Sequence, residues 1–165
     1  MSINYPEGWQ DYPSVIIQCV TTSYWIQNET QISGNNYYNW NTVNITPKST
    51  NSRLIVMSTP RFYTRSADRS GGATGSGNTN VYIQDVTNNA QTKAHEWLNY
   101  ADSQSANTAA WTDGLRLQYP IWAEFSNTVT TQRQFRTRAY VNGSSRKGRV
   151  GGEFLMHQII WEMDN

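Results

Sequence analysis

Two histidines, one cysteine and a few carboxylates near tryptophans are the side chains of this 165-residue chain whose types suit covalent or acid–base chemistry. His95 and His157 fall in different expected strands, and neither has a second ligand at a metal-binding spacing. His95-Glu96 lacks the partner that would complete HExxH. No G-x-S-x-G, phosphate-binding loop or cysteine pair occurs, so nucleophilic and phosphoryl chemistry have no local support. A glycosidase needs two carboxylates roughly 5 to 9 Å apart. Asp102, Asp113 and Glu124 are the candidates, but their spacing across loops fixes no distance. We expect a protein that is not an enzyme and needs no cofactor or metal.

Binding chemistry has more support. Trp25, Tyr37, Tyr38, Trp40 and Trp111 offer flat faces on which a sugar ring can stack, and each is also explained by core or subunit packing. Between Arg133 and Arg149 lie six basic residues and no acid, with Arg61, Arg65 and Arg69 upstream. The formal net charge is only +1 and no recognition motif accompanies the arginines, so nucleic acid is not the expected partner. Contacts to a neighbouring subunit or to an acidic face of another protein, through Arg136 and Arg138, explain them better.

The elements that must position these groups read as strands. Trp 7, Tyr 10 and Phe 4, with Asn, Thr and Ser throughout, give an all-β composition. Charged residues make up 15%, against about a quarter in ordinary domains. Nothing approaches the ~20 apolar residues of a membrane helix, and no basic-then-apolar leader opens the chain; neither a membrane partner nor export by a signal peptide is expected. Cys19 cannot form an intrachain disulfide and, lying in an apolar run, reads as a core thiol.

Residues 1–13, interrupted by Pro6, Gly8 and Pro13 and anchored by Tyr5, Trp9 and Tyr12, read as a docking arm, and residues 14–165 as one domain. Val15 to Val20 opens the first strand, and Gly34-Asn35-Asn36 marks a turn. Val43 and Ile45 alternate with polar neighbours, Pro47 to Ser52 is turn-forming, and Leu54 to Met57 runs apolar without a break. GGATGSGN, 71–78, is a loop by composition. Further strands are expected at Val81–Val86, Ala94–Tyr100, Leu115–Tyr119, Trp122–Phe125, Phe135–Val141 and Phe154–Met163. Eight to ten strands without a helical period predict a β-sandwich, most simply a jelly roll. Two strands apolar on both faces, Leu54–Met57 and the closing one, predict an assembly interface at Leu54, Ile55, Met57, Ile159 and Trp161, completed by other subunits.

VNITPKSTNSRLIVMS, the central Gly/Asn-rich loop, QFRTRAYVNGSS and the closing IIWEMDN, in that order, resemble the β-sandwich domain of tailed-phage virion proteins, especially marine and cyanobacterial ones. PSVIIQCVTT is similar to that domain's first strand, so the resemblance spans Pro13 to Asn165. AEFSNTVTTQRQF lacks the family's Asp-Ser-Pro type turn. The resemblance implies a homotrimeric jelly roll of the C1q and tumour-necrosis-factor type, exposed on a virion assembled in the host cytoplasm, without catalytic residues. It leaves three roles open: capsid decoration, knob or short appendage; a tail-fibre tip recognising a host glycan; or a glycan-cleaving enzyme. With only a short arm before the first strand, a stand-alone head domain without a fibre shaft is expected.

Overall fold

The computed structural model describes residues 15–33, 35–63, 77–99, 116–142 and 147–164, all in strands or their connections. Twelve strands occur in chain order: β1 (Ile16–Ile26), β2 (Glu29–Ser33), β3 (Tyr37–Ile45), β4 (Ser52–Ser58), β5 (Arg61–Tyr63), β6 (Gly77–Asp85), β7 (Ala90–Asn99), β8 (Arg116–Gln118), β9 (Ile121–Asn127), β10 (Arg133–Asn142), β11 (Lys147–Gly151) and β12 (Phe154–Asp164). Every pairing is antiparallel.

Eight long strands form two sheets, β1-β12-β4-β9 and β3-β10-β6-β7. The first and last strands of the chain are neighbours, and the chain crosses between the sheets in the order of a jelly roll. The fold class read from the sequence is the one observed.

The short strands β2, β11, β5 and β8 make a third row whose order repeats that of the first sheet. Each continues one strand of that sheet across a two-residue corner: Gln27-Asn28, Thr59-Pro60, Tyr119-Pro120 and Gly152-Glu153. The row is therefore the first sheet bent over one end of the sandwich. Proline cannot donate to a ladder, which breaks two of the strands at their corners. The fourth corner uses left-handed backbone, with φ of 92°, 82° and 40° at Gly151, Gly152 and Glu153. A Cβ at position 151 would lie 2.5 Å from the Asn28 carbonyl oxygen, so glycine is required there on two counts. Gly152 N donates to Asn28 O and Glu153 N to Gln27 O, which locks adjacent corners together.

Strict two-residue alternation builds the core. Leu54 and Val56 of β4, Ile121, Ala123 and Phe125 of β9, and Phe154, Met156 and Ile160 of β12 point inward from the first sheet. Val43, Ile45, Val81, Ile83, Phe135, Ala139 and Val141 meet them from the second. Tyr24 Oη donates to Thr42 O at 2.5 Å and Gln158 Nε2 to Thr137 Oγ1 at 3.3 Å, tying the sheets across the core.

Several sequence expectations need correction. Among the described residues twelve strands form rather than eight to ten, because the bent row is built from short stretches with little hydrophobic period. Gly77 and Asn78, expected in the loop, begin β6. Cys19 is exposed rather than buried: it points away from the core while its neighbour Gln18 points in. The arm 1–13 and the rest of the Gly-rich loop lie outside the described residues.

Candidate functional site

The outward face of the first sheet is apolar where a solvated sheet would be polar. Cross-strand partners share a face, so the register gives its rows directly. One row is Cys19, Trp161, Ile55 and Glu124; the next is Thr21, Ile159, Met57 and Trp122. Trp25 pairs with Leu155 at one end, and Ile16, Met163 and Arg53 follow one another at the other. Trp25 and Trp122 are 63% and 64% exposed. At up to ~250 Å² per indole, these two alone present on the order of 300 Å² of aromatic surface. Leu155 is exposed as well, and Ile55, Met57, Ile159 and Trp161 are half-buried on the same face. Polar groups stand between the apolar ones: Thr21 and Ser126 lie on this face, Ser23 Oγ lies 2.9 Å from His157 Nδ1, and Arg53 pairs with Glu124 at 3.6 Å.

The outward face of the second sheet is different. Tyr37, Tyr82 and Tyr140 surround Arg138, whose guanidinium lies 3.6 Å from the Tyr37 ring centroid. Burial lowers the Arg138 pKa from its ordinary value; Arg136 pushes the same way, while Tyr37 and Tyr82 oppose it. Arg136 Nε donates to Gln84 Oε1 at 2.8 Å, and the Arg138 guanidinium reaches the same oxygen at 3.2 Å and Gln91 Oε1 at 3.3 Å.

A third feature is structural and was not anticipated from the sequence. At the end of the sandwich opposite the bent row, Glu162 is fully buried. It accepts the backbone amides of Lys48 and Ser49, the Ser52 hydroxyl at 2.9 Å and Gln18 Nε2 at 2.6 Å. Burial pushes its carboxyl up, but the Lys48 and Ser49 amides, Ser52 and Gln18 together hold it below the usual glutamate range. The chain of contacts continues from Ser52 to Asn127 Nδ2, from Asn127 Oδ1 to Arg133, and from Arg133 to the buried carboxylate of Asp85, which also holds Asn88. This polar belt fastens the β3–β4 turn, the β6–β7 turn and the β9–β10 connection to one another. Glu162, a carboxylate at an inward position of β12, is the sequence signal for it.

The residues singled out in the sequence are distributed by this geometry. Of the interface set, Ile55, Met57, Ile159 and Trp161 share the outward face of the first sheet, while Leu54 points the other way, into the core of one chain. Arg136 and Arg138 lie on the opposite sheet, away from that face. Of the sugar-stacking set, Trp25 and Tyr37 are exposed, on opposite sheets. Tyr38 packs against the core, and Trp40 is 3% exposed beneath it, edge-on at 5.2 Å, so a ligand cannot reach its face. Trp111, Asp102 and Asp113 lie outside the described residues, whereas Glu124 is paired with Arg53. Among the described residues no cluster of His, Cys, Asp or Glu is arranged to hold a metal.

No protein-family model matches the chain, and no curated protein does. Solved structures of similar shape include dimeric latent PorU from Porphyromonas gingivalis, at 11% identity and TM-score 0.48 over 90% of this chain. The Eiger TNF of S. frugiperda is similar at 6% identity and TM-score 0.42 over 89%, and the infectious bursal disease virus Gx strain at 10% and 0.42 over 98%. This chain spans 13%, 94% and 42% of those chains, respectively.

Proposed function

We propose that this protein is a non-enzymatic structural protein of a tailed-phage virion, displayed on the particle as a homotrimer that serves as a decoration, knob or short appendage. The observation that carries the reading is the apolar outward face of the β1-β12-β4-β9 sheet. Its two exposed indoles, with exposed Leu155 and the half-buried Ile55, Met57, Ile159 and Trp161, are apolar surface of the kind that specific interfaces cover, at about 800 Å² per partner. The occupant is the same face of other copies, because apolar side chains stand on all four strands and, among the described residues, the charge on this face is the Arg53–Glu124 pair. Three copies follow from the resemblance of the strand segments to the phage and tumour-necrosis-factor type sandwich. Residues 1–13 then serve as the arm that docks the trimer on another virion protein.

Such a protein acts by shape and number: several weak contacts per trimer, repeated over a particle, give firm attachment. Antibody labelling of intact particles tests the reading. Gold on the head or tail surface is the expected result; absence of the protein from purified, infectious particles would overturn it.

A further inference from the structure

The second sheet carries a site that the proposed trimer does not use. We infer that the Tyr37–Tyr82–Tyr140 cluster with Arg136 and Arg138 is a binding site for a carboxylated sugar, a glycan bearing a sialic or uronic acid residue.

Three observations carry this. The first is uncompensated charge: Arg136 and Arg138 stand on one face of β10, two residues apart, and neither forms an ion pair with a carboxylate among the described residues. Two guanidiniums carry about ten N–H donors between them, yet those seen are directed at just two amide oxygens, Gln84 Oε1 and Gln91 Oε1. A planar carboxylate is the group that fits such unused donors, because it accepts a guanidinium fork in two places.

The second is the platform. Tyr37 is 42% exposed and contacts Tyr140 at 4.6 Å and Tyr82 at 6.3 Å between ring centroids. The Arg138 guanidinium covers one face of the Tyr37 ring and Tyr140 packs against it, so the part of Tyr37 that stays exposed offers a fixed apolar ring edge to the C–H groups of a sugar at little entropic cost. The stacked Arg138 holds the charge beside that edge. The third is the rim: Asn35, in left-handed backbone, accepts from Tyr140 Oη at 3.3 Å, and exposed Asn39 stands beside Arg138. Amides of this kind exchange hydrogen bonds with sugar hydroxyls.

Aromatic rings beside arginines also suit single-stranded nucleic acid. Affinity there comes from neutralising several phosphates, and this face offers two guanidiniums and Lys93, the partner of Tyr82, on a chain of net charge +1. The sugar is therefore the favoured ligand.

The test is titration of the full chain, by saturation-transfer NMR and calorimetry, with 3′-sialyllactose, trigalacturonic acid, neutral lactose and a short oligothymidylate. One of the two acidic sugars should bind with a Kd below about 1 mM, with saturation reaching its ring protons, and lactose should bind at least about tenfold more weakly. Which acid binds identifies the source of the carboxylate. Arg136→Gln and Tyr37→Ala should each weaken binding about tenfold, whereas Tyr37→Phe, which keeps the platform, should change it less than about threefold. The native mass of each variant, measured in parallel, separates loss of this site from loss of the trimer. Acidic sugars binding no better than lactose would overturn the inference. So would binding indifferent to all three variants, or a site that takes the oligothymidylate in their place.

Discussion

Replacing Glu162 by Gln tests whether the polar belt holds the turn end of the sandwich. The carboxylate is fully buried and accepts from two backbone amides, a hydroxyl and a side-chain amide. A glutamine amide has one acceptor oxygen, and its NH2 group would face donors, so at least one or two of these N–H groups lose their partner. An unmatched buried donor costs about 1–3 kcal/mol, and a hydrogen bond to a charged group is worth about 1.5–3 kcal/mol. The expected loss is about 3–4 kcal/mol, a large share of the ~5–15 kcal/mol that stabilises a domain, and a fall in Tm of roughly 10 °C. Urea and thermal melts followed by circular dichroism measure it. The pH dependence supplies a second readout. Because the folded carboxyl is held below the usual glutamate range, its contribution is complete above the unfolded pKa of about 4.3 and drains as pH falls through the lower folded value. The gap between wild type and Glu162→Gln should therefore be full at neutral pH and shrink in strong acid. A variant within about 0.5 kcal/mol of wild type at pH 7, or a gap independent of pH, would refute the reasoning.

The other predictions concern the same frame and the exposed face. Arg133→Met leaves the Asp85 carboxylate buried without its cation and should cost about 3–5 kcal/mol by urea denaturation, with Asp85→Leu added in the same chain recovering much of it. Gly151→Ala forces a left-handed residue and a Cβ against the Asn28 carbonyl, so it should destabilise by more than about 2 kcal/mol in the same assay. Cys19, exposed beside Trp161, should react with maleimide slowly at concentrations where the trimer forms and quickly once Ile55→Asp disrupts it; equal rates would count against that face as the interface.

Much of the sandwich was legible because alternation is a direct consequence of one buried face. Val43 and Ile45, the Pro47–Ser52 turn and the Leu54–Met57 run became β3, a turn and β4, and Phe135, Thr137, Ala139 and Val141 share the buried face of β10 as their spacing requires. Cys19 was misread for a physical reason. The run around it is apolar on both faces, and Gln18 looks like the outward residue until Glu162 is known to draw its amide inward. Trp40, a sugar-stacking candidate by residue type, sits mid-strand in the core, since aromatic and Asn residues alternate through β3 without a clear apolar period. The polar belt and the Tyr37 cluster depend on which strands become neighbours. Glu162 and Lys48, or Tyr37 and Tyr140, are more than a hundred residues apart in the chain, and nothing local encodes their meeting.

The central claim is that the β1-β12-β4-β9 face closes against other copies of the chain. Sedimentation equilibrium of the full protein measures it most directly. The expected species has three times the 18.9 kDa chain mass, shifted to the single-chain mass with strand content intact by Ile55→Asp or Met57→Asp. A wild-type protein that sediments at the single-chain mass at micromolar concentration, or variants that keep the full assembly, would contradict it.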